Sequence, residues 1–492
     1  MIAATIAILI FLLLPYLKAF FFIFYRRKDI TFITLFFICI AQIAALTFLW
    51  SLFIIYFNSE LISYVIPSFT HTNSGFVISI NAMNLILISS IQIVIIAFIL
   101  QYNPKRTKSF YVSLFLAEAG LTSALISANI LFFLFSLEIL FISVYFLITY
   151  KKKETNITST GYFIFSQGAL LILFITYIYY WSLTKNISPS VNFSKENIKL
   201  VLNYVDETKI RSSLFILVTG WLILLPTFPF YALVKESASR GNTMGTFMLV
   251  GCLYPSFSYL FYYWGFDFLP LLKEYEPAKL YIFIVQFVSL VLFLLLSLKE
   301  RSLKNIFIYL TFIQSPVIFL GFYTGTTTAI IATLSYILFL PISRGLGFLF
   351  VDVLETSFGT TDNENLKGLF KYYPELRTPA IIAIVSFLLV PLVPFFIQLP
   401  IFIESVVIAG HNIFYLLFAI LILIANIVNI ALVFTSIQDY LSQNISDVII
   451  KSEKIRPNNK YASLKIISLI FIIMNLFPLI FIELLNKFGG LS

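Results

Sequence analysis

Leu131-Phe-Phe-Leu-Phe-Ser-Leu-Glu138-Ile-Leu-Phe-Ile-Ser-Val-Tyr-Phe-Leu147 is a run suited to lipid that carries one acid. Its length and apolarity make it a membrane helix. A carboxylate near the middle of such a helix costs about 2.5–3.5 kcal/mol on insertion scales. The acid is therefore expected to face protein or water, and acids so placed commonly carry protons or ions. The alternative is a neutral carboxylic acid bonded to a neighbouring helix.

The same chemistry extends along the chain. Of 492 residues, 60% are hydrophobic and 11% charged, which is the composition of an all-α polytopic membrane protein. The net charge of +9 lies in short loops between apolar spans, so it is no nucleic-acid footprint. The two cysteines, Cys39 and Cys252, fall in apolar spans, and only His71 and His411 offer imidazole. A disulfide framework, a metal site or an iron–sulfur cluster is not expected. Phosphate-cradling glycine loops are absent. No cleavable leader is expected, because the chain opens directly on a spanning segment. Phe, Tyr, Ile, Asn and Lys are abundant, as an A/T-rich organellar genome would produce.

A window of about 19 residues gives fourteen spans. They lie near 3–24, 30–57, 76–101, 109–128, 129–150, 160–183, 211–233, 243–268, 279–298, 305–323, 328–351, 379–405, 408–436 and 462–486. Loops after odd-numbered spans hold Arg26-Arg27-Lys28, Lys105 to Lys108, Lys151 to Lys153, Lys299 to Lys304 and Lys451 to Lys460. The positive-inside rule puts these loops in the matrix or cytoplasm and both termini opposite. Two spans are interrupted alike, by Pro226-Thr-Phe-Pro229 in the seventh and Pro391-Leu-Val-Pro394 in the twelfth. Proline removes a donor and breaks the helix, which is tolerated at depth only against protein or a wet cavity. Matched breaks five helices apart suggest inverted repeats; ordinary kinks are the alternative. The division expected is 1–108, 109–268, 279–436 and 437–492.

Leu116-Ala-Glu118-Ala-Gly-Leu121, Phe135-Ser-Leu-Glu138-Ile-Leu and Gly161-Tyr-Phe-Ile-Phe-Ser-Gln-Gly fall in series along the chain. Pro229-Phe-Tyr-Ala, Asn242-Thr-Met-Gly-Thr, Ser302-Leu-Lys304-Asn and Leu366-Lys-Gly-Leu-Phe-Lys-Tyr-Tyr-Pro374 continue it. The ordered series, over roughly residues 80–440, resembles the antiporter-like membrane subunits of respiratory complex I, the subunit 2 branch before the subunit 4 branch. The resemblance implies fourteen helices, inverted five-helix repeats, broken helices 7 and 12, and a glutamate in helix 5. It also implies a core membrane-arm subunit that contributes to, or structurally supports, proton translocation coupled to quinone reduction. Partners would be other membrane-arm subunits and lipids such as cardiolipin, with no nucleic acid, in the mitochondrial inner membrane. The chain itself would hold no cofactor; NADH, FMN, iron–sulfur clusters and ubiquinone would belong to partner subunits.

The chain departs from that pattern at its ionisable positions. The family's helix-7 lysine falls on Leu224, its helix-8 lysine or histidine near Pro255, its helix-12 group near Gln398 or Leu399, and its histidine on Tyr231. The fifth-helix acid thus loses its lysine partner. Candidate substitutes are Glu118, Arg344, Lys235, Lys304, Gln398 and Glu404. Arg344 is read as a cation on a polar axis, or as a partner of an acid such as Glu118. Lys235-Glu236 reads as a loop pair, Lys304 chiefly as an orientation signal, and Glu404 as a solvated end or an exit. The alternatives are a purely structural spacer that has lost pumping, and a stand-alone fourteen-helix transporter, either a cation/proton antiporter or a lipid-linked saccharide flippase.

Overall fold

The computed structural model describes residues 2–25, 31–56, 62–66, 76–101, 106–150, 156–324, 326–388, 401–404, 406–408, 413–452 and 461–476. Its elements are α1 (Ile2–Phe24), α2 (Phe32–Tyr56), β1 (Ile62–Ile66), β2 (Phe76–Ile80), α3 (Ala82–Leu100), α4 (Lys108–Ile126), α5 (Ile130–Thr149) and α6 (Asn156–Ile187). Next come α7 (Lys195–Leu202), α8 (Glu207–Leu224), α9 (Tyr231–Arg240), α10 (Thr243–Phe266), α11 (Glu276–Ser297) and α12 (Leu303–Thr324). The last are α13 (Thr327–Phe358), α14 (Pro374–Val385), α15 (Ile413–Leu441) and α16 (Tyr461–Leu476). Among the described residues, ten helices are long and apolar enough to cross a membrane. Apart from the short β1–β2 pair, the described residues form the all-α polytopic membrane architecture expected from the sequence.

Two features differ from the expected elements. The span placed at 76–101 opens as β2, which pairs antiparallel with β1 from Ile62↔Ile80 to Ile66↔Phe76. Asn81 then caps the start of α3: its side-chain oxygen accepts the Asn84 N–H at 2.8 Å, and the Asn84 oxygen accepts the Asn81 N–H at 3.0 Å. The loop expected at 184–210 contains α7, pinned where Lys195 N–H donates to Ala128 O at 2.8 Å.

The seventh span is discontinuous. Helix α8 ends at Leu224 and α9 starts at Tyr231, with Pro226 and Pro229 between them. Neither proline offers an N–H, so the ladder cannot run through them. The Phe228 N–H donates instead to Ser289 Oγ at 2.8 Å. Pro391, Pro394 and Gln398, and with them the expected twelfth-helix break, lie outside the described residues. A further irregularity occurs in α10, which runs as π-helix over Phe247–Leu253 and Tyr262–Phe266. Pro255 cannot donate to Gly251, and the wide turn just before it accommodates the lost bond.

Contacts group the chain into two units. The first comprises Met1–Gln92, Asn103–Leu225 and Ser256–Leu280; the second comprises Ile93–Tyr102, Pro226–Pro255 and Tyr281–Ser492. The first unit packs α4 closely on α5. A Cβ on Gly120 would lie 2.8 Å from Leu140 N and 2.9 Å from Ser136 O, so only glycine permits that approach. In the second unit, α13 ends on Gly359 at φ 72°, a left-handed cap that favours glycine.

Candidate functional site

Asn129 starts α5 by accepting the N–H groups of Leu131 at 3.0 Å and Phe132 at 3.2 Å. This cap fixes where α5 begins, and its packing on α4 decides which side chains face outward. Leu137, Leu140, Phe141 and Val144 are fully buried. Leu131, Phe135, Ile142 and Phe146 form the opposite stripe, and Phe135 and Phe146 are 63% and 56% exposed. Glu138 falls in register with that outward stripe, half-buried. It makes no hydrogen bond or ion pair among the described residues. The alternative of a bond to a neighbouring helix is not made among the described residues; the acid stands at the edge of the outward apolar stripe. Leu224, at the position of the absent lysine, is buried in the first unit.

Glu118 has a different partner from the one expected. Lys18 of α1 donates to both of its carboxylate oxygens at 2.8 Å, and Gln42 of α2 donates to Oε1 at 2.9 Å. Lys18 also donates to Gln42 Oε1 at 3.0 Å. Lys18 is 5% exposed and Glu118 0%. Sequence reasoning missed Lys18 because, eight residues before the basic loop at Arg26, it reads as a snorkelling lysine. Gln42, an uncharged amide amid apolar residues, gave no signal of its own.

Arg344 lies on α13 in the second unit, 1% exposed. It binds the Gln314 side-chain oxygen, and its guanidinium stacks 4.3 Å above the Phe387 ring. Its Nε and Nη1 have no hydrogen-bond partner among the described residues. The expected pairing of Arg344 with Glu118 is not made. Gln314 sits where α12 loses its regular ladder before Pro316, and it also donates to Phe387 O at 3.3 Å.

Lys304 is more than an orientation signal. It is buried, donating to Glu355 Oε1 at 2.9 Å and to Gly241 O at 2.6 Å. Thr243 donates to the other Glu355 oxygen at 2.6 Å. Sequence reading missed Glu355 because it assigned the last turns of α13 to a polar loop. Lys235 and Glu236 both lie on α9 rather than in a loop, and the closer partner of Lys235 is Glu300, at 3.2 Å against 3.8 Å for Glu236. Glu404 is half-buried and accepts from the Thr326 hydroxyl, which caps α13.

One ion-pair cluster lies outside the spans. Asp267 receives Lys195 at 2.5 Å and Lys199 at 2.7 Å, and Lys195 stands 3.1 Å over the Tyr263 ring. Burial pulls the Lys195 ammonium down to about 8, against the opposing pull of Asp267. For Asp267, burial works upward, but the two lysines outweigh it and hold the carboxyl below its ordinary value.

The described architecture is that of a polytopic helical membrane protein with a proline-broken span and ionic pairs buried among its helices. A profile described as "NADH:quinone oxidoreductase/Mrp antiporter, TM" matches residues 127–425, and the chain belongs to that family. It is 23% identical over 285 residues to the NADH-quinone oxidoreductase subunit M of Buchnera aphidicola, covering 54% of each. The chain thus matches about half the length of that relative. It superposes with TM-score 0.82 and 18% identity on a chain of an archaeal membrane-bound sulfane sulfur reductase, covering 98% of this chain and 96% of that one. A chain of respiratory complex I from Thermus thermophilus gives TM-score 0.71 at 14% identity, covering 96% and 98%. These two likenesses are of fold.

Proposed function

We propose that the chain is a membrane-arm subunit of a proton-translocating NADH:quinone oxidoreductase. The carrying observation is the outward acid. Glu138 stands at the edge of an exposed apolar stripe, with no hydrogen-bond or ion-pair partner among the described residues. A carboxylate left against acyl chains is costly, and a neighbouring membrane subunit covering the stripe removes that cost. Family membership supports a respiratory assembly as the source of that neighbour. The chain contributes proton-carrying groups, while NADH, FMN, iron–sulfur clusters and quinone belong to partner subunits.

The finer assignments rest on sequence. Phe230-Tyr231 after Pro229 and the Gly368-Leu369 to Pro374 run favour a subunit 2-like place, and Glu118-Ala-Gly120 a subunit 4-like one. The A/T-biased composition favours the mitochondrial inner membrane; the relatives named above are bacterial or archaeal.

A second reading has an observation of its own. Leu224 at the lysine position leaves Glu138 without its expected cation, as in a spacer that no longer pumps. Replacing Glu138 by Gln and counting protons moved per NADH in sealed vesicles separates the two. A lower ratio in an assembled complex supports pumping, and an unchanged ratio leaves the spacer.

A further inference from the structure

We propose that Lys18, Gln42 and Glu118 form a proton-exchange site within the membrane that takes protons and excludes metal cations. Its position comes first. Glu118 lies ten residues beyond the start of α4, about 15 Å along the helix axis, and Lys18 lies six residues, about 9 Å, before the end of α1. Gln42 sits near the middle of α2. Three helices thus direct their polar side chains to one place inside an apolar slab.

The chemistry follows from burial and contact. A lysine in low dielectric gives up its proton readily, and here the acceptor is 2.8 Å away. Transfer breaks one N–H bond at Lys18 Nζ, leaving the electron pair on nitrogen, and forms one O–H bond on Glu118. The ion pair becomes a neutral pair, with no change in net charge. A proton from water then restores the ammonium. Glu118 then gives up the proton it received to water, and the ion pair returns with one proton exchanged. Pro15 offers no N–H to the carbonyl of Phe11, which leaves polar backbone within about two turns of Lys18.

The same contacts decide the ion. Sodium or another hard cation needs several oxygen ligands. Both Glu118 oxygens already receive Lys18, Oε1 also receives Gln42, and the Gln42 oxygen receives Lys18. A metal entering here would find both carboxylate oxygens already occupied. The other groups around the pair are the Phe115 ring, 4.7 Å from Lys18 Nζ, and the buried Cys39 thiol, within electrostatic reach of both charges. The Tyr16 hydroxyl bonds Ser123 at 3.1 Å nearby.

The direction of transfer rests on the proton-translocating function proposed above; the exchange itself does not. Lys18→Arg retains a cation and the ion pair but cannot give up its proton. A structural tie survives that change. Expected is an assembled, NADH-oxidising complex that moves fewer protons per NADH, with sodium uptake absent in both forms. An unchanged ratio overturns the site, and so does sodium uptake that disappears in Glu118→Gln. Infrared pH titration of the purified chain supplies an independent readout. Expected is a protonated-carboxyl band that appears and disappears with pH and is missing in Glu118→Gln. A spectrum identical in the two proteins overturns the exchange. A titrating band in a chain found outside any NADH-oxidising assembly would overturn the respiratory role alone.

Discussion

Outside the spans, burial moves the ionisation of Lys195 well below the ordinary lysine value. Free lysine holds its proton to 10.5, whereas burial brings this one to about 8. Between those values the unfolded chain binds more protons than the folded one, so this group's contribution to stability rises with pH across that window. Below about 8 the ammonium is charged in both states and its burial cost is constant. Asp267 has the same sign of pH dependence in the acid range: its stabilisation is present above its ordinary 3.8 and is lost as pH falls through its lowered folded value. Lysine-selective NMR should show one ammonium titrating near 8 and losing its signal in Lys195→Met. A midpoint near 10.5 would contradict the burial of that group. Lys304 offers a second residue-level test. Glu355→Ala leaves a buried cation without its carboxylate, at a cost of about 3 kcal/mol, to be read as a lower thermal midpoint.

Helix boundaries depend on identifiable side chains. Asn129 holds the first N–H groups of α5, so Asn129→Ala should destabilise the protein by about 1 kcal/mol. Gly120→Val should cost more, about 1–3 kcal/mol, because the added atoms meet the backbone of α5. Both are checked by thermal unfolding in detergent. Apolar runs and Pro226 and Pro229 made most spans and the α8–α9 break readable in the sequence, since both act locally. The β1–β2 pair and α7 were not readable, because tertiary pairing with distant backbone holds them. The site was readable only as a set of ionisable residues. Which cation meets Glu118 depends on how α1 and α2 pack against α4, and spacing along one helix says nothing of that. The outward turn of Glu138 follows from which face of α5 meets α4, and Gly120 was the one local clue.

At the scale of the whole molecule, the chain presents an apolar surface that must be covered by lipid or by protein. The stripe around Glu138 carries an acid, so lipid is the costly cover and another membrane subunit the favourable one. The most direct measurement places a photo-reactive amino acid at Phe135, irradiates native membranes, and resolves the products by native electrophoresis with staining for NADH oxidation. Expected is a product joined to a second membrane subunit within a large NADH-oxidising assembly. A chain that runs alone near its own 56.4 kDa and carries only lipid adducts would contradict the account.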